Sequence, residues 1–416
     1  MFNNLGHAID SDLLRECYHQ LDGNKAVGID GVTKEAYGIK LEDNINDLLG
    51  RIRRGAYKPH PSRIVEIPKE DGSTRPLAIS CFEDKLVQTA VTSILTLIYE
   101  PLFLPCSYGY REAIGPHDAL RALMKYSNQN SDGVTVEIDL RKYFNSIPHL
   151  VLMNILQEKI ADKRFLKLVE TLLRSPVIEN GKAKLNEIGC PQGSIASPIL
   201  ANIYLHVCVD QWFHTIKKTH MQGRAKLVRF ADDMVFVFQY KKDAERFYRV
   251  LPKRLQRFGL ELHIDKSSII PSGKLAAQRA YNRGERLPTY KFLGFVCYWG
   301  QSRNKTHWRL KYKSRSDRMR SKLKGLRIYL KENLNKETHS VLKRSNSVIK
   351  GWINYHAISD NQRKVRSFIV MSARALFQWR NRKGGQRKLN WEKFNKLLKA
   401  TGFPGGFKTT SMFATR

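Results

Sequence analysis

Three aspartates are the residues of this sequence whose types and spacing most directly suggest chemistry. Asp232 and Asp233 are adjacent in the stretch RFADDMVFVF, between two apolar runs, and Asp139 lies in the alternating stretch VTVEIDL. Isolated buried carboxylates are costly, and clustered carboxylates repel one another unless they share protons or bind cations. Mg²⁺ prefers oxygen ligands, and two such ions can stabilise the attacking and leaving oxygens of phosphoryl transfer. The alternative for the adjacent pair is an ordinary exposed turn, where Asp is common.

The elements around these aspartates predict how they could meet. We predict a strand over 134–140, a helix that begins at Ser197, a hairpin that carries the adjacent aspartates, a helix over 244–258, and a strand at 260–264. The order strand, helix, hairpin, helix, strand is a split βαβ arrangement. In this arrangement the tip of the hairpin can lie beside the strand that carries the third aspartate.

Apolar spacing and turn signals organise the rest of the chain. No period of 20–50 residues repeats. A hairpin is predicted for SRIVEIPKEDGSTRPLAI, with its turn at KEDGS. Helices are predicted over 11–22, 40–54, 83–99, 117–126, 312–333, 336–358 and 361–381.

The charge of the chain narrows the class of partner. The 416 residues carry a formal net charge of +34, and residues 301–416 alone hold 30 Lys and Arg against 5 Asp and Glu. A charge of this size favours a polyanionic partner, most commonly nucleic acid, with a merely basic surface as the alternative. The last quarter of the chain is therefore predicted to be a basic module that follows a linker at YWGQSRN.

Cysteine spacing and hydropathy bear on the compartment. The six cysteines are scattered, and no pair has the spacing of zinc ligands, so buried free thiols are expected. The N-terminal stretch MFNNLGHAIDSDL lacks the apolar core of a signal peptide. The most apolar stretch, LVQTAVTSILTLIYEPLFL, is interrupted by polar residues and a proline. We therefore expect a cytoplasmic protein, bacterial or organellar, with no membrane partner.

Nine sequence blocks, in order, carry a resemblance to a known family. Between about residues 10 and 360 the chain resembles a group II intron-encoded reverse transcriptase, or a free-standing relative. Any single block is a weak signal, but the ordered set is highly specific. The blocks are NKAVGIDGVT, IPKEDGSTRPLAI, SYGYREAIGPHDAL, VEIDLRKYFNSI, GCPQGSIASPILANIYLH, FADD, GLELHIDKS, YKFLGF and IKGWINY.

The resemblance implies an α+β right-hand polymerase with fingers, a ferredoxin-like palm of the split βαβ type and a basic α-helical thumb. The expected division places an N-terminal extension and the start of the fingers in 1–80, and the fingers/palm reverse transcriptase domain in 81–300. Residues 301–416 are expected to form the thumb, or X, domain, which is maturase-like.

The implied activity is RNA-directed DNA synthesis from a primer 3′-hydroxyl with dNTPs. The expected cofactor is a pair of Mg²⁺ ions, for which Mn²⁺ can substitute. The expected partners are an RNA template, a DNA or RNA primer and, for an intron-encoded protein, the parent intron RNA, whose splicing and retrohoming it would promote. Two alternatives stay open: a domesticated reverse transcriptase of DNA repair or phage defence, and an RNA-binding maturase with little polymerase activity.

The family's active-site residues are carried over one by one. The resemblance implies a metal-bearing catalytic triad of Asp139, Asp232 and Asp233, in which Asp139 and Asp232 are the better candidates for direct ligands. Lys69 and Arg75 match contacts to the incoming triphosphate, where fixed positive charge can stabilise developing charge. A solvated hairpin face is the alternative for these two cations.

Three further positions match the surroundings of the incoming nucleotide. Phe144 falls where the family places a ring under the incoming sugar, and such a ring would clash with a 2′-hydroxyl. Gln192 matches a residue near the new base pair, and Lys266 matches a basic residue close to the active site. The alternatives are a core phenylalanine, a polar turn residue and a surface lysine, respectively.

A basic run in the C-terminal part is a candidate nucleic-acid surface. The stretch KYKSRSDRMRSKLKG includes Arg315, Arg318 and Arg320, which are expected to contact phosphates. A merely solvated basic face is the alternative.

The sequence departs from the family pattern at identifiable places. Phe230 stands where the family usually has Tyr, which removes one hydroxyl beside the aspartates. The chain carries no paired CxxC motifs and no His-Asn-His pattern. We therefore expect no endonuclease domain of the kind that many relatives append.

Overall fold

The computed structural model describes residues 1–68, 72, 74–179, 182–383 and 388–413. The chain forms two compact units, each with its own core. The first unit combines Met1–Ala119 with Val134–Ile269, and the second combines Leu120–Gly133 with the segment that begins at Ile270. The expected mixture of helices and sheets is confirmed, whereas the division into three domains stays a prediction.

Sheets form where β-branched and aromatic residues alternate with polar ones. The strands are β1 Ser62–Pro68, β2 Thr74–Ile79, β3 Gly133–Ile138, β4 Val177–Glu179, β5 Lys182–Lys184, β6 Ala225–Phe230, β7 Asp233–Phe238, β8 Ser268–Ser272, β9 Tyr290–Phe292, β10 Phe295–Gln301 and β11 Trp308–Ser314. They make sheets of order β2-β1-β4-β5, β6-β7-β3-β8 and β11-β10-β9. The predicted hairpin of β1 and β2 is confirmed, and most of its turn lies outside the described residues.

Helices occupy the segments with apolar residues three and four positions apart. They are α1 Ser11–Gln20, α2 Lys34–Gly38, α3 Leu41–Arg53, α4 Phe82–Tyr99, α5 Pro116–Asn128, α6 Tyr143–Ser146, α7 His149–Gln157, α8 Lys163–Leu173, α9 Ser197–Leu205, α10 Trp212–Thr219, α11 Lys241–Gln256, α12 Lys274–Asn282, α13 Ser316–Glu332, α14 Thr338–His356, α15 Gln362–Lys383 and α16 Trp391–Ala400. A six-residue π-helix, His206–Gln211, joins α9 to α10. Among the described helices, none combines the length and apolarity needed to cross a bilayer.

The sheet β6-β7-β3-β8 sets the position of the aspartates. Its strand β7 pairs antiparallel with both β6 and β3, so the β6–β7 hairpin lies against β3. In this register Ile138 is opposite Met234, which brings the end of β3 next to the turn of the hairpin. The predicted placement of the hairpin tip beside Asp139 is therefore confirmed.

The predicted strand at 260–264 is wrong. Leu262 forms only an isolated bridge with Leu140, and the strand follows later, at β8. The pairing stops at this one bridge, in which Arg141 donates its backbone N–H to Glu261 and His263 donates to Asp139. A 3₁₀ turn then precedes β8.

The predicted linker at YWGQSRN and the start of the next helix are also corrected. Four of these linker residues belong to β10, and residues 312–314 end β11 instead of starting a helix. The turn of this hairpin falls later, where Ser302 donates its backbone N–H to the carbonyl of His307 at 2.7 Å. The net charge of the sequence changes near residue 300 without a break in structure, and alternation places the basic residues of β11 on the face opposite Leu310 and Tyr312.

The second unit packs its helices and sheet around an apolar core. Trp352 of α14 stacks on Phe368 of α15, with ring centroids 3.8 Å apart. Segment 120–133 belongs to the same unit: Tyr312 donates its hydroxyl to the carbonyl of Leu120 at 2.7 Å. The Leu310 N–H donates to Asn128 Oδ1 at 2.9 Å. The fold of the basic C-terminal part therefore includes contacts with residues that lie almost 200 positions earlier in the sequence.

Candidate active site

The hairpin turn that carries Asp232 is tight and conformationally unusual. Phe230 pairs with Asp233, so Ala231 and Asp232 are the two turn residues. Ala231 has a φ of 55°, in the left-handed region that costs an L-residue about 1–2 kcal/mol. The turn places Asp232 at the tip, partly buried, while Asp233 begins β7 with an exposed side chain.

Asp139 follows β3 directly and is fixed by its backbone. Its N–H donates to the Ser267 hydroxyl at 3.1 Å, and its carbonyl accepts from the His263 N–H at 2.9 Å. Burial raises the pKa of Asp232, and the negative charge of Asp139 raises it further. The two carboxylates are therefore close enough to repel each other. A hard divalent cation between them would relieve both the repulsion and the desolvation, so this donor set fits Mg²⁺.

The three aspartates do not form a compact set of three ligand atoms. Within the described part of the chain, the group of three that lies within 4.8 Å consists of His60, Cys81 and Asp84. Asp84 is buried and accepts hydrogen bonds from the Tyr57 hydroxyl and the His60 N–H, which attach the loop before β1 to α4. The structure thus brings Asp139 and Asp232 together and leaves Asp233 outward.

The loop with the sequence PQG connects β2 to the segment around Phe144. Ala78 donates its N–H to the Gln192 carbonyl at 2.6 Å, while the Gln192 side chain donates to Asn145 Oδ1 at 2.8 Å. Cys190 donates its N–H to the Phe144 carbonyl at 2.7 Å. Phe144 is half-buried against the core of the first unit, so its ring is packed and also partly open.

Arg75 and Tyr110 lie near the hairpin tip. The positive charge of Arg75 lowers the pKa of Asp232, opposing the effect of burial. Burial and the charge of Asp232 raise the pKa of the Tyr110 hydroxyl, while Arg75 lowers it. Tyr110 is exposed and has a φ of 55°. The sequence analysis missed Tyr110, although it lies in the SYGY block. Lys69 lies outside the described residues.

Lys266 is exposed at the end of the 3₁₀ turn, directly before Ser267, whose hydroxyl binds the backbone of Asp139. This contact places Lys266 on the segment that borders the aspartates.

The three arginines of the basic run differ in their surroundings. Arg315 forms an ion pair with Asp317 and is mostly buried, and its hydrogen bonds lower the pKa of Asp317 to about 2. Arg318 and Arg320 are exposed on α13. The structure therefore leaves Arg318 and Arg320 more accessible than Arg315.

A buried arginine beside the hairpin turn escaped the sequence analysis. Arg229 on β6 is 0% exposed and forms an ion pair with Asp210, with a closest distance of 2.6 Å. It also donates to the carbonyl of Ala231 at 3.1 Å. Gly109 also packs against the turn, where an added Cβ would lie 2.3 Å from the Ala231 nitrogen. The turn is thus held by Arg229 and by the close approach of Gly109.

Comparison with known proteins agrees with the geometry of the site. Residues 67–297 match the family model described as "Reverse transcriptase (RNA-dependent DNA polymerase)". The match covers more than half of the chain and includes the three aspartates. The chain therefore belongs to the reverse transcriptase family.

Curated relatives narrow the type of reverse transcriptase. The chain is 34% identical over 196 residues to "Group II intron-encoded protein LtrA" of Lactococcus lactis subsp. cremoris, covering 47% of this chain and 32% of that protein. It is 35% identical over 211 residues to "Uncharacterized 91 kDa protein in cob intron" of Schizosaccharomyces pombe, covering 50% and 26%. "Protein YkfC" of Escherichia coli is 32% identical over 211 residues, covering 50% and 54%. The matched parts thus span from about a quarter to just over half of these relatives. The resemblance to group II intron-type reverse transcriptases is confirmed.

Proposed function

We propose that this protein is an RNA-directed DNA polymerase of the group II intron type, which extends a primer 3′-hydroxyl with dNTPs on an RNA template. The observation that carries the proposal is the juxtaposition of Asp139 and Asp232 at the meeting of β3 and the β6–β7 turn. Membership of the reverse transcriptase family supports it. We assign residues 1–80 to the N-terminal extension and the start of the fingers, residues 81–300 to the fingers and palm, and residues 301–416 to the basic helical thumb.

Asp139 and Asp232 are the proposed ligands of two Mg²⁺ ions, with Asp233 supporting them from the outer side of the turn. When bound, such a pair of ions stabilises the attacking and leaving oxygens of nucleotidyl transfer. Mn²⁺ is the proposed substitute. The raised pKa of Asp232 fits this role, because a buried carboxylate beside a second one favours a nearby cation.

The nucleotide-facing residues have distinct proposed tasks. Arg75, with Lys69, neutralises the triphosphate, and the effect of Arg75 on the pKa of Asp232 supports its nearness to the reaction centre. Phe144 opposes a 2′-hydroxyl, and Gln192, held by Asn145, lies beside the new base pair. Lys266 contributes positive charge next to Asp139.

The proposed nucleic-acid partners are an RNA template, a DNA or RNA primer and the parent group II intron RNA. The charge of residues 301–416 supports this part of the proposal, since basic residues neutralise phosphates. Exposed Arg318 and Arg320 are the proposed phosphate contacts, with Arg315 in a supporting place. Promotion of intron splicing and retrohoming is the proposed biological role.

Primer extension with matched variants tests the polymerase proposal. Purified protein should extend a DNA primer on an RNA template with Mg²⁺ and dNTPs. Asp232→Asn removes a proposed ligand and should lower the extension rate at least about 10²-fold, with primer–template affinity unchanged. Asp47→Asn is the control, because Asp47 is exposed and its ion pair with Arg51 lies outside the candidate active site.

The outcomes separate the candidate functions. Extension by Asp232→Asn at the wild-type rate would remove Asp232 from the active site. Wild-type protein that binds RNA tightly without extending a primer would favour the alternative of an RNA-binding maturase.

A further inference from the structure

Arg229 joins four segments of the first unit at one buried point. Its Nε and Nη2 donate to the two carboxylate oxygens of Asp210, at 2.8 and 2.6 Å. Its Nη1 donates to Asn202 Oδ1 at 2.9 Å and to the Ala231 carbonyl at 3.1 Å. Its Nη2 also donates to the Ser107 hydroxyl at 2.8 Å. The guanidinium therefore uses its rigid, fork-shaped set of donors to fix one carbonyl of the turn that carries Asp232.

The partner of Arg229 is presented by an unusual piece of helix. Asp210 lies in the π-helical segment His206–Gln211, between two α-helices. π-helical turns are rare and occur often at functional sites. Asp210 is itself buried, and the charge and hydrogen bonds of Arg229 keep the pKa of Asp210 low despite that burial. The helix thus departs from regular geometry where it meets the arginine.

The same arginine also links the turn to the strand-like segment beside β6. Ser107 forms a bridge with Arg229, and Tyr108 donates its N–H to the Arg229 carbonyl at 2.8 Å. Asn202 donates its side-chain amide to the Gly109 carbonyl at 2.6 Å. The contacts surround the turn from β6, from α9 and from residues 107–109. Ala231, whose φ is 55°, is the turn residue that receives the hydrogen bond.

We propose that Arg229, held by Asp210, is a positioning residue for Asp232. By bonding the Ala231 carbonyl, Arg229 keeps the turn in its left-handed conformation and so fixes the distance between the carboxylates of Asp232 and Asp139. Because Arg229 is fully buried, we assign it an action through the turn and not by direct contact with substrate. The inference rests on the proposed polymerase function in one respect: the fixed distance between the two carboxylates serves the proposed nucleotidyl transfer.

The choice of a buried ion pair supports a geometric role. A buried Arg–Asp pair is weak evidence for stability, because two well-packed apolar residues often stabilise a core as well or better. Such residues would supply no donor for the Ala231 carbonyl, however. The Arg229–Asp210 pair therefore adds a hydrogen bond of defined geometry to the turn.

The test removes the pair as a unit in the full chain. The double variant Arg229→Met with Asp210→Leu leaves no unpaired buried charge. The single variant Arg229→Lys keeps a charge beside Asp210 but lacks the planar fork that reaches the Ala231 carbonyl. The control is Arg279→Gln with Asp132→Asn, which removes an exposed Arg–Asp pair of the same 2.6 Å length from the second unit.

Three measurements are made on each variant. Amide hydrogen exchange is followed at residues 230–234 and at strand β3. The Mg²⁺ concentration for half-maximal single-turnover extension is determined at saturating dNTP, and primer–template affinity is measured separately. For the double variant we expect at least about 10-fold faster exchange at 230–234 with β3 unchanged, and a 10- to 100-fold higher half-saturating Mg²⁺ concentration. Extension at saturating Mg²⁺ should fall about 10²-fold, with affinity within about two-fold of wild type.

The results separate the positioning role from the proposed function. Wild-type exchange at 230–234 together with wild-type Mg²⁺ dependence in the double variant would overturn the positioning role. If wild-type protein does not extend a primer, the proposed function fails while the exchange data still decide whether Arg229 holds the turn. If the double variant does not fold, the same measurements on Arg229→Lys decide whether Arg229 positions the turn, because this variant keeps a positive charge beside the buried Asp210.

Discussion

Replacing Gly109 with Ala should disable the active site without removing any catalytic group. The added Cβ would lie 2.3 Å from the Ala231 nitrogen and 3.0 Å from the Phe230 carbonyl carbon. Ordinary van der Waals contacts begin at about 3.4 Å, so one backbone segment must move by about 1 Å. The atoms in the way belong to the backbone of the turn, which cannot rotate aside as a flexible side chain would. A shift of this size at the turn changes the place of Asp232 relative to Asp139.

The expected cost follows from that displacement. A misplacement of about 1 Å can lower an enzymatic rate about 10²-fold, which corresponds to about 2.7 kcal/mol in the activation barrier. Overpacking should also lower the free energy of unfolding by about 1–3 kcal/mol. Primer–template affinity should stay at the wild-type value, because Gly109 is far in sequence from Arg318 and Arg320, which are the proposed phosphate contacts.

Single-turnover primer extension and thermal unfolding measure the two effects. Gly351→Ala is the matched control: Gly351 lies in α14, and an added Cβ there would have no heavy atom within 4 Å. This control should extend at the wild-type rate and unfold at a slightly higher temperature, since Ala is favoured over Gly in a helix by about 1 kcal/mol. Wild-type extension by Gly109→Ala would refute the idea that the turn must be held within about 1 Å.

Two further predictions concern the choice between rNTP and dNTP and the binding of nucleic acid. Phe144→Ala or Phe144→Val should raise the ratio of rNTP to dNTP incorporation, because the ring that opposes the 2′-hydroxyl is removed; an unchanged ratio in an active variant would make Phe144 a plain core residue. Arg318→Gln with Arg320→Gln should flatten the slope of log affinity against log salt concentration by up to roughly one unit per lost phosphate contact. The same variant should make shorter DNA products per binding event when a trap captures enzyme that has dissociated from the primer–template. Arg315→Gln should flatten the slope less, because Arg315 is already paired with Asp317; equal effects of all three would contradict this ranking.

The pairing of the strands that carry Asp139 and Asp232 could be predicted from the sequence. The alternation in β3 and the apolar runs on either side of the adjacent aspartates were enough to predict that the hairpin tip can lie beside Asp139, because strand pairing follows from apolar faces. The strand expected at 260–264 failed for a reason that alternation cannot show. The segment pairs with the chain just after β3 through a single bridge and then enters a 3₁₀ turn, so the sheet continues only at β8.

The support of the turn could not be predicted from the sequence. Arg229 carries a signal, since a charged residue between apolar neighbours in LVRFA is unusual, and Asp210 is similarly placed in YLHVCVDQWF. Their pairing nevertheless depends on a π-helical turn that no spacing rule indicates. Likewise, Gly109 is required by the approach of another backbone segment, which only the folded chain reveals.

The composition of the second unit has a consequence for the order of events during synthesis. Leu120–Gly133 leaves the ribosome early, yet its partners include Leu275, which donates its N–H to the Ser131 carbonyl, and Tyr312, which donates to Leu120. At about 5–20 residues per second, the interval between residues 133 and 312 lasts roughly 10–40 s. Throughout that time the end of α5 lacks the strands and helices of its own unit that will cover it. A ribosome stalled before β11 would therefore display a nascent chain that already holds all four strands of the β6-β7-β3-β8 sheet but leaves the end of α5 uncovered, which is the kind of surface that chaperones bind.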